Sequence, residues 1–379
     1  MTKKKLINPF ELFSYQGPEY FCDREEEVER LSSSFKNRRY VVLSSMRRLG
    51  KTSLIHHWHR ALSQEKNVIP IYLDVMDTAS DNGFVNKFIS AAINALELRS
   101  KMFDKVFEMF KSLRPKVSFD PVTGLPEISL DIHSNHEVST SLEMIFALMG
   151  NRKEQIQIAV DEFQQILNYE STNIDATIRG YFQKAGNVHF LFSGSEQHLL
   201  NTLFSDPAKP LFASTEYVNL SPIAYAPYFD FIKHHFLKSN ISIKDEIIHE
   251  IMVWTKQHTF YTHFLCNVLY ANSHKNVDTV ELNRAKANCL KQFETSYFYF
   301  MKILSGNQKK MLAAIAKEQL VTNILGKEFL NKYKFSASSA RQALQALVKL
   351  QMVYEKTRNN KSSYTVYDVF FSRWLENVV

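Results

Sequence analysis

The sequence predicts an α/β fold, in which a parallel sheet flanked by helices precedes an all-α segment and a small module of helices and two strands. Up to about residue 222, apolar runs of strand length alternate with amphipathic helical stretches, which is the order of a parallel α/β sheet. From about Ala224 to Phe300 the apolar spacing is helical throughout. We therefore predict domains over 1–222, 223–304 and 305–379.

The composition is that of a globular protein with more than one domain. The chain has 379 residues, of which 45% are hydrophobic and 22% are charged, so one ordinary core would be too small for it. No apolar run is long enough to cross a bilayer, and the basic start "MTKKKLINPF" lacks the apolar segment of a secretory signal. The scattered Cys22, Cys266 and Cys289 fit neither a disulfide framework nor a zinc site. We expect a cytoplasmic protein with reduced thiols and no membrane partner.

The elements of the first domain follow in order. The segment "DREEEVERLSSSF" predicts a helix, with Asp23 and Glu26 at capping-box spacing. "RYVVL" predicts a strand, and "KTSLIHHWHRAL" predicts the helix after it. An inserted β-hairpin is predicted near 114–132, because two alternating runs flank the turn "DPVTG". The remaining predicted strands are Val68–Val75, Ile156–Val160, Val188–Phe192 and Glu216–Leu220.

A phosphate-binding loop is predicted between the first strand and its helix. "SSMRRLGKTSL" ends in Gly-Lys-Thr and opens a helix, so backbone N–H groups from Met46 to Thr52 would hold phosphate at a helix N-terminus. Lys51 would neutralise phosphate charge, and the Thr52 hydroxyl would hold Mg²⁺. The candidate nucleotide contacts are Ser45, Met46, Arg47, Arg48, Leu49, Gly50, Lys51, Thr52 and Ser53.

Ser45 stands where such a loop normally opens on glycine. A positive φ at this position would cost a non-glycine residue about 1–2 kcal/mol, and an extended conformation would cost almost nothing. In both cases the backbone donors remain, so we interpret Ser45 as a tolerated variation.

Two acidic residues end the strand "IQIAVDEFQQI", at the sheet edge where α/β proteins bind ligands. Asp161 would coordinate Mg²⁺, and Glu162 would act as general base for an attacking water. The alternative is a solvated acidic pair that caps the next helix. "HFLFSGSEQ" ends another strand at Ser193 to Ser195, where either a γ-phosphate sensor or a simple strand-to-helix turn would account for the small polar residues.

The run "HHWH" is predicted to be a surface patch. His56 and His59 share a helix face, but His57 does not. Without a third ligand nearby, a metal site is the weaker interpretation.

Together these motifs resemble those of the archaeal-type P-loop ATPases of the STAND/AAA+ group, distant relatives of archaeal replication-initiator ATPases. The resemblance covers nearly the whole chain: "YFCDREEEVERL", "SSMRRLGKTSL", "AVDEFQQI" and "LFSGSEQHLL" are similar to the family's entry segment, phosphate loop, acidic strand end and sensor. It implies a P-loop NTPase fold of the ASCE/AAA+ type, a helical lid, ATP or ADP with Mg²⁺ as ligands, and nucleotide contacts by Arg24 and Ser193.

The chain departs from this family at two places. Ser214 stands where the resemblance would place a sensor or finger arginine; Arg179 is a candidate substitute, and an ordinary exposed helix charge is the alternative. "QHTFYTHFLCNVL" lacks the glycine and proline of the family's lid helix, so nucleotide sensing by that helix is not expected.

The C-terminal fifth resembles the family's winged helix-turn-helix. From residue 305 onward there are 12 Lys and Arg against 5 Asp and Glu, and a basic excess on one module is typical of nucleic-acid binding. "SASSARQALQALVKL", capped by Ser336, would be the recognition helix, with "TRNNK" as the wing. The candidate DNA contacts are Ser338, Arg341, Gln342, Gln345, Lys356, Arg358 and Lys361. The alternative is a protein-docking or lid-packing module.

We expect an ATP-dependent molecular switch, an ATPase with slow turnover, with the winged helix as output toward double-stranded DNA or toward a protein partner or second copy. Lys51 and Glu162 would be its catalytic residues. The alternatives are a nucleic-acid-binding adaptor with ATP as a structural ligand, and a scaffold that does not hydrolyse ATP.

Overall fold

The computed structural model describes residues 8–96, 108, 110–119, 126–170, 172–184, 186–272, 275–358 and 361–378. These residues form two compact units, one over 14–222 and the other over 8–13 together with 223–378. No helix in this described part is both long and apolar enough to cross a membrane.

The first unit is built on five parallel strands. Numbered along the chain, they are β1 (Val41–Ser44), β2 (Val68–Asp74), β5 (Gln155–Asp161), β6 (Val188–Gly194) and β7 (Glu216–Asn219). Their order in the sheet is β2-β5-β6-β1-β7. The helices around them are α1 (Glu25–Lys36), α2 (Lys51–Leu62), α3 (Asp81–Ala95), α4 (Asn135–Gly150), α5 (Ile174–Lys184) and α6 (Gln197–Phe204).

The register brings the functional ends of the strands side by side. All residues of β1 and β6 are buried, as expected of strands covered on both faces. Ser44 pairs with Gly194, and Asp74 pairs with Asp161, so the carboxyl ends of the central strands form one edge of the sheet. Connections that leave this edge are where open α/β sheets bind ligands.

The inserted hairpin predicted near 114–132 is present. Strands β3 (Lys116–Phe119) and β4 (Pro126–Ser129) pair antiparallel. The predicted turn between them lies outside the described residues.

Side-chain caps begin α3 and α4, whereas α1, α2 and α6 begin without one. Ser80 caps α3, and a capping box of Ser134 and Glu137 begins α4. The predicted capping box at Asp23 is wrong: α1 begins after Arg24, which has a φ of 83° and makes no side-chain cap. Asp23 is itself left-handed, with a φ of 61°, so the entry into α1 is a tight backbone turn.

The second unit consists mainly of helices. They are α7 (Tyr225–Lys238), α8 (Asp245–Trp254), α9 (Thr259–Asn272), α10 (Thr279–Ile303), α11 (Gly306–Glu318), α12 (Lys327–Lys332), α13 (Ala337–Lys349) and α14 (Val369–Val378). Short strands β8 (Ser242–Ile243) and β9 (Asn276–Val277) pair between the first helices, where the sequence predicted only helix.

The end of the chain has the short helices and the two strands that the sequence predicted. A capping box of Ser305 and Gln308 begins α11, and the Ser336 hydroxyl caps α13. Strands β10 (Val353–Arg358) and β11 (Lys361–Val366) form an antiparallel ribbon. Ala343, Leu344 and Leu347 on α13 are buried, which leaves the opposite face of this helix to solvent.

Residues 8–13 pack with the second unit, although the sequence analysis places them in the first predicted domain. Phe10 is fully buried, and its ring lies 5.3 Å from that of Phe236. The side-chain amide of Asn8 donates to the backbone carbonyl of Asn267, and the side-chain amide of Asn267 donates to the backbone carbonyl of Phe10. The first unit ends at Pro222, and the predicted division at 304 stays a prediction.

Candidate functional site

The candidate site is built where β1, β5 and β6 end. The loop from Ser45 to Gly50 follows β1, Asp161 ends β5, and Gly194 ends β6. The local folding follows from the sequence: apolar runs place each strand in the core, and the polar residues begin at the sheet edge.

The loop after β1 takes its turn from Arg48 and Gly50. Arg48 has a φ of 64° and Gly50 a φ of 95°, and Gly50 precedes the first residue of α2. A positive φ favours glycine, so Gly50 fulfils a backbone requirement. Ser45 is not among the residues of positive φ, and the absence of glycine there causes no backbone strain.

Lys51 is buried at the start of α2, with only 5% of its surface exposed. Its Nζ donates to Ser45 Oγ at 3.3 Å, and that hydroxyl donates to the carbonyl of Met46 at 2.7 Å. Burial lowers the pKa of Lys51, and the charges of Glu162 and Asp161 oppose this shift. A buried ammonium in such a place gains from an anionic ligand, because its observed partner is a neutral hydroxyl.

Within the described residues, Asp161 accepts hydrogen bonds from four donors. Its Oδ2 accepts from Thr52 Oγ1 at 2.7 Å and from Tyr72 OH at 3.1 Å. Its Oδ1 accepts from the backbone N–H of Glu162 at 3.1 Å and from the hydroxyl of Ser193. The Asp161 carboxylate at the end of β5 therefore joins the first turn of α2 to β2 and β6.

Ser193 and Tyr72 both donate to Asp161, which the sequence analysis did not predict. Ser193 is fully buried, so in this arrangement it supports Asp161, and a direct phosphate contact stays a prediction. Tyr72 was missed by the sequence analysis; burial and the charge of Asp161 raise the pKa of its hydroxyl, which keeps it a donor. The sequence carried no signal for this role beyond the place of Tyr72 near the end of the predicted strand Val68–Val75.

Glu162 has a left-handed backbone, with a φ of 55°. Its Oε2 accepts from Gln164 Nε2 at 2.6 Å, from Ser195 Oγ at 2.9 Å and from the Ser195 backbone N–H at 3.3 Å. The alternative role as a helix-capping acid receives no support, because Glu162 makes no side-chain cap to the 3₁₀ turn that follows it.

The other predicted loop residues have different surroundings. Arg47 forms an ion pair with Glu196 of 2.6 Å, which ties the loop to the segment after β6. Leu49 is buried, and Met46 packs against the same core cluster. Arg48 and Thr52 are exposed, and Ser53 is half-buried.

Arg24 is placed at the start of α1 with 4% of its surface exposed. Its Nη1 pairs with Glu27 Oε1 at 2.8 Å. Its Nη2 is buried without a hydrogen-bond partner in the described part of the chain. An orphaned donor on a buried cation is costly, and nucleotide contact by Arg24 stays a prediction.

The interpretation of the histidine run as a surface patch was wrong. His59 is buried and bonded to Gln157, and burial lowers its pKa to about 4. His57 stacks on Phe21 with ring centroids 4.3 Å apart, and His56 lies 4.4 Å from the ring of Tyr72. These residues are packing groups, and no cluster of metal-ligating side chains occurs among the residues that the structure describes.

Ser214 occupies the position of the family's arginine, and Arg179 is its candidate substitute. The described contacts of both residues lie outside this site. Ser214 donates its hydroxyl to the carbonyl of Leu211 at 2.6 Å. The Arg179 guanidinium lies 5.6 Å from the ring centroid of Phe182, so a packing role describes it here.

The predicted nucleic-acid face of the second unit is exposed. On α13 this holds for Ser338, Arg341, Gln342 and Gln345, and on the ribbon for Lys356 and Lys361. The side chain of Arg358, at the end of β10, lies outside the described part.

The residues at the sheet edge fit a magnesium–nucleotide ligand. Thr52 Oγ1 and the Asp161 carboxylate are hard oxygen donors, the type that Mg²⁺ prefers. The buried Lys51 and the N-terminus of α2 favour phosphate. Glu162 adds a carboxylate on the neighbouring residue.

Comparisons with known proteins agree with this architecture. Residues 295–377 match the model of a family described as a probable winged helix domain. No curated protein sequence matches the chain. Among solved structures, a Walker-type ATPase of Pyrococcus abyssi is similar over 97% of this chain and 99% of that one, with a TM-score of 0.66 and 19% identity.

Two structures of ORC proteins from Aeropyrum pernix are also similar. The ORC2 protein in its ADPNP–ADP complexes covers 98% of this chain and 96% of its own, with a TM-score of 0.61 and 12% identity. The ORC1 protein in complex with DNA covers 95% and 94%, with a TM-score of 0.50 and 12% identity. The chain therefore shares the fold of these Walker-type ATPase and ORC structures, and its residues 295–377 match a probable winged helix domain.

Proposed function

We propose that the protein is an ATP-binding switch of the STAND/AAA+ type, with slow hydrolysis and a winged helix as output. The observation that carries this proposal is the 2.7 Å bond from Thr52 Oγ1 to Asp161 Oδ2, beside the buried Lys51. Loop, acidic strand end and buried cation thus meet at one edge of the sheet, which is what MgATP binding requires. The solved ORC2 structure with ADPNP and ADP supports the choice of ligand.

In this proposal the phosphates lie against the loop N–H groups and Lys51. Lys51 Nζ exchanges Ser45 Oγ, 3.3 Å away, for phosphate oxygens. Thr52 and Asp161 hold Mg²⁺, which when bound neutralises phosphate charge. Arg24 contributes from the start of α1, where a ligand oxygen would satisfy its buried Nη2.

Glu162 is the proposed general base. Its Oε2 is occupied by Gln164 and Ser195, so Oε1 receives the proton as water oxygen bonds to the γ-phosphorus. The bond from that phosphorus to the bridging oxygen breaks, and ADP and phosphate leave. Before hydrolysis the γ-phosphate can hold neighbouring loops in one arrangement, and its release lets them change.

Nucleotide binding is tested by Lys51→Ala. We expect it to weaken the binding of a fluorescent ATP analogue by about 10- to 100-fold, because the charge-assisted contact between the Lys51 ammonium and the phosphates is lost. Lys66→Ala, at an exposed position, is the matched control and should bind like the wild type. Equal affinity of all three proteins would refute the site.

The winged helix is proposed to bind double-stranded DNA. The exposed polar face of α13 and the basic C-terminal fifth support this, as does the similarity to ORC1 in complex with DNA. Duplex affinity should fall steeply between 50 and 200 mM salt, by roughly 10-fold or more if a few phosphates are contacted. Lys356→Ala with Lys361→Ala should reduce that salt slope; no duplex binding at low salt would leave protein docking as the role of the module.

The serine at position 214 is the observation that favours a second candidate function, in which the protein is an adaptor or scaffold that binds ATP without hydrolysing it. The chain lacks the arginine that the family resemblance would place at this position, and a neighbouring copy would have to supply one. Phosphate release measured with and without duplex DNA, over a range of protein concentrations, separates the two. Bound nucleotide with no phosphate released under any condition would favour the scaffold.

A further inference from the structure

Gln164 is a buried polar residue directly beside the proposed general base. It lies in the 3₁₀ turn Phe163–Asn168 that follows β5, and 4% of its surface is exposed. Its Nε2 donates to Glu162 Oε2 at 2.6 Å. This is the shortest of the bonds that Glu162 accepts, the other two coming from Ser195.

The other end of the same amide has no partner. Gln164 Oε1 is buried and accepts no hydrogen bond within the described part of the chain. It rests against Gly194 at the end of β6, where an added Cβ would overlap this oxygen. Gly194 thus makes room for the amide without satisfying it.

This arrangement has a stability cost that an apolar side chain would avoid. A buried carbonyl without a partner loses its hydration for no gain, and methionine fills about the same volume without an orphaned atom. Packing therefore does not account for glutamine here. What glutamine supplies is the N–H donor directed at Glu162.

We propose that Gln164 is a positioning residue for Glu162, an assignment that rests on the proposed function. Gln164 and Ser195 together hold Oε2, so the Glu162 carboxylate is fixed and Oε1 is the oxygen left for the attacking water. A base within reach of the water but free to rotate would be in the reactive geometry less often. Gly194 contributes by leaving space for the Gln164 amide.

The test is Gln164→Met, measured for ATP turnover, nucleotide affinity and thermal midpoint. We expect kcat to fall about 10-fold or more, with the Kd of a fluorescent ATP analogue within about 2-fold of the wild type. The thermal midpoint should change little, since removal of the orphaned carbonyl offsets the loss of the bond to Glu162. A drop in the midpoint with unchanged kcat would show a structural role and overturn the proposal.

Two further variants sharpen the test. Gly194→Ala displaces the Gln164 amide and should lower kcat in the same way. Gln165→Met is the matched control: Gln165 is the neighbouring glutamine, and its amide donates to the carbonyl of Thr78, away from Glu162. It should keep kcat within about 2-fold; a loss equal to that of Gln164→Met would overturn the proposal.

A double-mutant cycle with Glu162→Gln separates this inference from the proposed function. If Gln164 acts through Glu162, Gln164→Met has no further effect on turnover in the Glu162→Gln protein, and additive losses would contradict it. If Glu162→Gln stops turnover and Gln164→Met does not slow it, only the inference fails. If the wild type releases no phosphate, the proposed hydrolysis fails, and the inference fails with it.

Discussion

Asp161 and Glu162 are adjacent in sequence, but their surroundings suit them to different tasks. Asp161 is 2% exposed and accepts four hydrogen bonds, two on each oxygen. Glu162 is half-buried, and the bonds that it accepts in the described part of the chain end on one oxygen. A carboxylate with every lone pair hydrogen-bonded suits a structural role, and Asp161 would contact Mg²⁺ only by exchanging one of these bonds. A carboxylate with a free oxygen suits proton transfer.

Glu162→Gln should separate binding from turnover. The amide keeps the size of the side chain but cannot take a proton, so phosphate release should fall about 100-fold or more. Affinity for a fluorescent ATP analogue should stay within about 3-fold, because Lys51 and Thr52 are untouched. Glu170→Gln, at an exposed position eight residues along, is the control. Unchanged phosphate release in Glu162→Gln would refute the general-base assignment.

At the scale of elements, Arg373 connects α14 to the end of α8 within the second unit. Its Nε donates to the carbonyl of Trp254 at 3.0 Å and its Nη2 to that of Val253 at 3.3 Å. A cation at a helix C-terminus satisfies open carbonyls and complements the helix dipole. Glu376 balances the charge at 3.1 Å.

Arg373→Ala should destabilise the protein by about 2 kcal/mol, because the carbonyls at the end of α8 lose their charged donor and a buried side chain is removed. The measurement is the thermal midpoint, or urea unfolding followed by tryptophan fluorescence. Arg341→Ala removes an exposed arginine of the winged helix and should change stability by less than about 0.5 kcal/mol. Equal stability of the two variants would show that the cap contributes nothing.

At the scale of the whole molecule, two histidines buried in the neutral form make stability depend on pH. His59 and His189 are 8% and 4% exposed, and burial lowers the pKa of each to about 4. In the unfolded chain each titrates near 6.5. Between these values the unfolded state binds more protons, so their contribution is fully present above about pH 6.5 and is lost as the pH falls toward 4.

The thermal midpoint should therefore drop as the pH is lowered from 7 to 4.5. The two histidines together account for up to several kcal/mol, at about 1.4 kcal/mol for each unit of pKa shift. His189→Gln should show a shallower dependence than the wild type. A midpoint independent of pH over this range would contradict the burial of neutral histidines.

The strands of the parallel sheet, the hairpin and the final ribbon follow from the amino-acid sequence alone, whereas β8 and β9 do not. Apolar runs such as Ile156–Val160 and caps such as Ser336 act over a few neighbouring residues, so they can be read locally. The Gly-Lys-Thr triplet and the Asp161–Glu162 pair likewise carry their chemistry in residue type and spacing. The prediction of a capping box at Asp23 was wrong because Asp23 and Arg24 form a tight backbone turn, which their residue types do not indicate.

Which side chains contact one another at the candidate site and which pack in the core depends on the tertiary structure. Thr52 meets Asp161 across 109 positions, Tyr72 and Ser193 reach the same carboxylate from other strands, and His59 turns inward onto Gln157. Residues 8–13 pack on helices more than 200 positions away because Phe10 finds aromatic partners there. Such pairings depend on strand order and on the packing of side chains distant in sequence, and local periodicity carries no information about either.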